Sequence, residues 1–180
     1  MRRVTESDRG RRFERLFTEY RADIVAYCGW RASSAGDPQD AVAEVFLIAW
    51  RRLDVVPDGE AGRVWLYATA RRVLANQRRS DRRRAALRER LEVEEATAPP
   101  ETGEAQLVHE ALARLQPRDR EVLLLAEWEG LSPAQIATVM GCLAVTARGR
   151  LHRARQRFRA AYEELQSHES SPVPVLEGAP

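Results

Sequence analysis

Bond-making chemistry needs a nucleophile, a base or a metal, and few groups in this sequence are spaced to assemble one. Asp37, Asp40 and Glu44 could form a carboxylate cluster, but no histidine or glycine-rich phosphate loop accompanies them. Asp37 is also needed as a helix cap. Cys28 and Cys142 stand far apart with no CxxC or Cys/His grouping, and His109, His152 and His168 do not approach ligand spacing. Each cysteine is expected to be a small buried apolar residue, and no metal, cofactor or enzymatic activity is expected. What the chain has in quantity is guanidinium. All 29 basic residues are arginine, and the abundant alanine beside them points to a GC-rich coding bias.

The first concentration of arginine lies in LSPAQIATVMGCLAVTARGRLHRARQRF, residues 131–158. Ser132, Pro133 and Gln135 make a capping box with proline at the first helical position. Ile136, Val139 and Met140 give an apolar face, and Gly141 stops the helix where a left-handed residue is wanted. The helix that follows carries Arg148, Arg150, Arg153, Arg155, Arg157 and Arg159, with Leu151, Ala154 and Phe158 on the opposite stripe. A short capped helix, a turn at glycine and a basic second helix describe a helix-turn-helix. The plainer reading is a helical hairpin with a solvated basic face.

The second concentration lies between Arg71 and Arg90, where nine arginines face only Asp81 and Glu89. A solvated helix end would account for a few of them. Nine against two reads as a nucleic-acid surface.

The remaining segments must position these two surfaces. Phe13, Leu16, Phe17, Tyr20, Ile24, Tyr27 and Cys28 hold a helical period over four turns, after ten polar residues expected to fray. Ser33 to Gly36 break the pattern. Asp37 then caps a second helix, with Pro38 at its first position and Asp40 in its first turn. Asp54 to Gly62 is a loop by its Pro-Asp-Gly signal. A third helix is predicted from about Arg63 to about Leu91, with Val64, Trp65, Ala68, Val73 and Leu74 in its early core face. Further helices are predicted from Gln106 to Leu115 and from Arg118 to Glu129. No strand pattern, internal repeat or membrane-length apolar run is present, the N-terminus lacks the apolar core of a signal peptide, and a cytoplasmic protein is expected.

The predicted fold class is all-α: two small helical domains joined by a flexible acidic linker, the second containing the helix-turn-helix. The expected boundaries are 10–91, a linker over 92–105, 106–165, and a disordered tail over 166–180. The overall charge of +2 conceals this segregation of acid and base. A helix-turn-helix reads base edges in duplex DNA while flanking arginines hold phosphates. An arginine-rich helix preceded by Trp65 and Tyr67 suits DNA whose bases have left the stack, because rings can stack on them. For Trp65, core packing and base contact are equally good readings; Tyr67 is expected to be exposed. Duplex DNA on one domain and opened DNA on the other suggest promoter melting.

Three stretches in this order resemble the extracytoplasmic-function sigma factors of bacterial RNA polymerase. DPQDAVAEVFLIAWRRL resembles the family's helix for the β′ clamp helices, and WLYATARRVLANQRRSDRRR its helix that melts and reads the −10 element. LQPRDREVLLLAEWEGLSPAQIATVMG and TARGRLHRARQRF resemble its −35-reading domain. The resemblance implies that Asp40, Glu44, Val45, Phe46 and Trp50 contact core polymerase, through an exposed mix of acid and aromatic. It implies that Arg71, Arg72, Asn76, Arg78 and Arg79, with Trp65 and Tyr67, address the −10 strand, the loop from Asp54 to Gly62 covering an extruded base. Thr146, Arg148, Arg150, His152 and Arg153 are placed at the −35 element, Thr146 and Arg150 towards phosphates. The implied partners are RNA polymerase core (β′ clamp helices and β flap), promoter DNA and an anti-sigma factor.

This chain departs from the family pattern where asparagine often stands at Arg72, and at Leu143, Val145 and Gly149. Leu143 cannot cap a helix, a loss of about 1 kcal/mol, and Gly149 inside a helix costs about as much again. The basic helix is therefore expected to start late or to be less rigid. The alternatives are a stand-alone regulator with a LuxR-like helix-turn-helix and an interaction protein that kept the fold without DNA binding. A receiver domain would alternate strands and helices over the first 90 residues, and only helices are read there.

Overall fold

The computed structural model describes residues 6–31, 37–88 and 103–169. The Ser33–Gly36 break, residues 92–102 of the expected linker and residues 170–180 of the expected tail lie outside them. Seven α-helices occur among the described residues: α1 (Glu6–Gly29), α2 (Pro38–Arg51), α3 (Glu60–Arg88), α4 (Glu104–Arg114), α5 (Pro117–Glu127), α6 (Pro133–Met140) and α7 (Ala144–Glu169). No strand is found among those residues, as the all-α reading expects. The chain divides into two compact units, one built of α1, α2 and α3, the other around α4, α5 and α7.

In the first unit each helix buries one stripe against the other two. α1 contributes Leu16, Tyr20, Ile24, Tyr27 and Cys28, and α2 contributes Ala41, Val42, Val45, Phe46 and Ala49. α1 begins at Glu6, within the stretch expected to fray. Glu6 and Asp8 place negative charge in its first turn, and Arg9 is tied down by Asp54 at 3.0 Å and by the Trp50 carbonyl at 2.7 Å. α2 starts as its sequence indicates, with the Asp37 Oδ1 accepting from the Gln39 amide at 2.8 Å and proline at the first position.

The loop before α3 is held from two sides. Arg12 donates from Nε to Asp58 at 3.0 Å, to the Leu53 carbonyl at 2.7 Å and to the Val56 carbonyl. Behind the loop sits Gly62, where an added Cβ would lie 2.4 Å from the Pro57 carbonyl oxygen. Gly59, at φ +59°, then lets the chain turn into α3 three residues before the predicted start.

The early turns of α3 are buried over more than one face: Val64, Leu66, Tyr67, Ala68, Ala70, Val73 and Leu74 are all core. Tyr67 is fully buried, which corrects the expectation of an exposed ring. Its ring lies 5.2 Å from that of Tyr27, and its hydroxyl accepts from Arg63 at 3.3 Å. Arg63 also donates to Asp23 at 2.7 Å. Burial works against the Arg63 charge, but Tyr67 and Asp23 outweigh it and raise its pKa above the ordinary value.

In the second unit α7 packs on both α4 and α5. Its buried stripe of Ala147, Leu151, Ala154 and Leu165 meets Ala111, Leu112, Val122, Leu123 and Leu125 in one core. Arg120 reaches back to the last carbonyls of α4, with 2.6 Å bonds to Leu112 and Ala113. The buried Asp119 accepts from Arg157 and has Arg150 3.9 Å away. α7 stays helical through Glu169, so the segment expected as tail begins with four more helical residues.

Phe46 stands edge-on to Phe17 at 4.7 Å and to Phe13 at 6.4 Å, with 4% of its surface exposed. Phe46→Ala is expected to lower unfolding free energy by about 3–5 kcal/mol in a denaturant titration. Gly62→Ala is expected to destabilise as well, because a backbone carbonyl occupies the space of the new methyl.

Candidate nucleic-acid interface

The helix-turn-helix is built by its own backbone chemistry. The Ser132 amide donates to Gln135 Oε1 at 2.8 Å, and the Gln135 amide to Ser132 Oγ at 3.4 Å, completing the capping box at the start of α6. At the other end Gly141 has φ +64°. The Cys142 amide bonds the Ala137 carbonyl at 3.0 Å, and the Gly141 amide the Thr138 carbonyl at 3.4 Å. That is a Schellman closure, which satisfies carbonyls a helix end leaves open. Only Gly141, Cys142 and Leu143 separate the helices. α7 starts at Ala144, with the Ala147 amide donating to the Leu143 carbonyl at 3.0 Å. The expected late start is therefore not observed. Backbone closure at Gly141 delivers the chain to α7 without a side-chain cap at Leu143.

On α7, Thr146, Arg148, His152 and Arg153 are exposed, on the sides away from the buried Ala147, Leu151 and Ala154. Arg155 and Arg157 are exposed too, and each is paired within the unit: Arg155 with Glu127 at 2.7 Å, Arg157 with Asp119. Arg150 differs. Its side chain is only 21% exposed and turns towards Asp119, so this guanidinium is partly engaged inside the fold.

A second basic surface lies on the first unit. Trp65, Arg72 and Asn76 share one side of α3 and line a shallow cavity of about 340 Å³ with Ile48, Thr69 and Val73. Arg51 and Arg52, at the end of α2, line it as well. Sequence reasoning passed over these two; arginine at a helix C-terminus has a sufficient reason in the helix dipole. Arg79 donates to the Asn76 side chain, and Arg78 is exposed but donates to the Arg31 carbonyl at 2.6 Å. Arg71 is half-buried, and Arg82 and Arg83 are exposed. The side chains of Arg84 and Arg88, and all of Arg90, lie outside the described residues. Trp65, Arg72, Asn76 and Arg79 therefore come together, while Tyr67 belongs to the core.

α2 presents a different face. Asp40, Glu44 and Trp50 are exposed, but Val45 and Phe46 are in the core, which corrects the expectation of one exposed face holding all five. The exposed apolar residue that sequence reasoning missed is Leu47, at 46%. It lies three residues after Glu44 and seven after Asp40, on the same stripe. Trp50 packs edge-on to Phe13 at 5.2 Å under the Arg9 guanidinium. Beside the loop that α1 holds, a cavity of about 330 Å³ is lined by Arg12, Arg15, Glu19, Tyr20, Val56 and Asp58. Burial, aided by the hydrogen bond and charge of Glu19, pushes the Tyr20 hydroxyl up to about 12, so it stays neutral.

Such a chain, with one arginine-faced helical unit before a helix-turn-helix unit, has close counterparts. Residues 16–84 match the family described as Sigma-70 region 2, and residues 105–158 match Sigma-70, region 4. The sigma factor SigL of Mycobacterium tuberculosis, an extracytoplasmic-function RNA polymerase sigma factor, is 32% identical over 83% of this chain and 88% of its own. The RNA polymerase sigma-H factor of Pseudomonas aeruginosa is 31% identical over 91% and 92%. Among solved structures, the sigma factor RpoE of Bartonella quintana, in complex with the anti-sigma factor NepR, shares the fold. That likeness has a TM-score of 0.70 and 24% identity over 84% of this chain and 96% of that one. The chain belongs to the extracytoplasmic-function RNA polymerase sigma factors. It is an RNA polymerase sigma factor, not a stand-alone regulator.

The two α7 arginines separate by environment. Arg150→Ala is expected to lower stability by up to about 1 kcal/mol, because its 3.9 Å contact with buried Asp119 is a weak ion pair and Asp119 keeps Arg157. Arg148→Ala should leave the thermal midpoint within the range of ordinary surface substitutions. Parallel thermal melts compare the two.

Proposed function

We propose that the exposed face of α2, centred on Asp40, Glu44, Leu47 and Trp50, is the anchor for core polymerase at the β′ clamp helices. An aromatic and a leucine flanked by carboxylates give an apolar centre with a charged rim, the composition of a partner-helix site. The basic side of α3 takes the opened −10 strand: Trp65 offers a ring to an unstacked base, and Arg72, Asn76 and Arg79 supply phosphate and base-edge hydrogen bonds. α7 enters the major groove at the −35 element, with Arg148, His152 and Arg153 towards bases and Thr146 towards phosphate. Arg71 and Arg78 add positive charge beside the −10 surface, and Arg150 adds it near the −35 surface while bracing Asp119.

The observation that carries this reading is the order of the two matches, region 2 on the unit with Trp65 and Arg72, region 4 on the unit with the helix-turn-helix. The second unit also meets the β flap in this reading. The sigma factor RpoE is in complex with the anti-sigma factor NepR in its solved structure, and an anti-sigma factor is proposed as a partner here. The protein acts in the cytoplasm and contributes no catalytic step; among the described residues, no helix is long and apolar enough to cross a membrane.

Run-off transcription with core polymerase over a promoter library tests the whole. Promoter-dependent transcripts are expected only when this protein is added, and their absence on every template despite a stable complex with core refutes the reading. The double variant Leu47→Ala/Trp50→Ala should reduce core binding at least tenfold while leaving duplex binding by the second unit unchanged. Arg148→Ala should weaken preference at one −35 step by about tenfold, a loss typical of one base contact.

A further inference from the structure

Leu143 is 72% exposed and Val145 66%, the two most exposed large apolar side chains among the described residues of the second unit. They stand at the start of a helix whose charged residues from Ala144 to Tyr162 are all arginine. Gly149 follows Val145 by one turn. Glycine inside a helix is unfavourable by about 1 kcal/mol relative to alanine. Yet a Cβ at Gly149 would meet only the Arg153 guanidinium, at 3.6 Å, an ordinary contact. Packing within the fold therefore does not require glycine there.

The two positions are related by helix geometry. At 100° per residue, Val145 and Gly149 project on the side opposite Ala147, Leu151 and Ala154, next to one another along the outermost stripe. Arg148 and Arg153 flank that stripe and are exposed. An aliphatic knob is thus followed by a position with no side chain of its own, beside which the Arg153 guanidinium lies. The exposed His152 stands further along the same stripe, with arginines on either side.

We propose that Val145 and Gly149 form one base-reading element of α7, in which the Val145 isopropyl group packs on the 5-methyl group of a thymine. The absence of a side chain at Gly149 lets the helix backbone approach closely enough to make that contact. Among the four bases, only thymine shows a methyl group in the major groove, and apolar side chains read it. The flanking guanidiniums hold the duplex, and their charge makes DNA, rather than an apolar protein, the occupant of this face. The inference rests on the reading of α7 as the helix that enters duplex DNA, and adds to it which chemical group is read.

The test uses holoenzyme, assembled from the full chain and core polymerase, and a promoter library randomised over the −35 region. The preferred promoter is then remade with each −35 thymine replaced in turn by deoxyuridine, which lacks only the methyl. At one position the replacement should weaken wild-type binding about fourfold, the effect of burying one methyl group. Val145→Ala should bind thymine and deoxyuridine there equally, with an unchanged thermal midpoint. Val145→Thr, which keeps one methyl, should retain part of the difference. Gly149→Ala should raise the thermal midpoint by a few degrees and weaken binding to the preferred promoter about tenfold.

Two results overturn the proposal while leaving α7 as the reading helix: a selected −35 sequence at which no thymine methyl matters, or an undiminished thymine preference in Val145→Ala. A loss of core binding in Val145→Ala with thymine preference intact also overturns it and makes the patch a protein contact. Failure to select any −35 sequence sinks the reading of α7 itself, and this inference with it.

Discussion

A guanidinium on a helix can address a phosphate or a base only if the helix cannot roll, and both basic helices are kept from rolling by burial of their opposite sides. α7 is fixed by Ala147, Leu151 and Ala154 in the core. Ion pairs from Arg157 and Arg150 to buried Asp119 add to the hold, together with Arg155 on Glu127. α3 is fixed more completely, since Leu66, Tyr67, Ala70 and Val73 are all but fully buried between α1 and α2. Burial of that extent contributes far more than any exposed ion pair, so the apolar residues set the helix angle and the arginines inherit it.

The arginines divide by what surrounds them. Arg12, Arg63 and Arg120 are structural: they hold loop carbonyls, a carboxylate and a helix end in place of water. Five donors in a planar fork suit this role, because one side chain can bind several carbonyls of a turn. Arg72, Arg148 and Arg153 are exposed and remain available to a polyanion. Arg150 and Arg78 lie between the two classes: Arg150 is half-buried beside Asp119, and Arg78 is exposed but donates to the Arg31 carbonyl.

Local chemistry was readable where it is enforced over a few residues. The caps at Asp37 and Ser132 and the stop at Gly141 form as their side chains and backbone angles require. The buried stripe of α1 follows its period from Leu16 onward. On α7, Arg148, Arg153, Arg155, Arg157 and Arg159 are exposed as their spacing expects, whereas Arg150 is half-buried. The misreadings arose where two faces compete. In α2 the residues Val45, Phe46 and Leu47 are consecutive and all apolar, so periodicity alone did not say which of them faces the core; α1 takes Phe46 and leaves Leu47 in water. Tyr67 was misread because its polar hydroxyl finds Arg63 inside the fold, a partner no local spacing reveals.

By itself, then, the sequence determined an all-helical chain, its helix-turn-helix and the positions of its two arginine concentrations, because caps, periodicity and charge act within one or two turns. Which side of α2 is left exposed, which arginines are already engaged, and that α7 begins at Ala144 without a side-chain cap were decided by tertiary structure and backbone closure. Burial is a competition among distant segments for the same apolar surface, and only the assembled core resolves it.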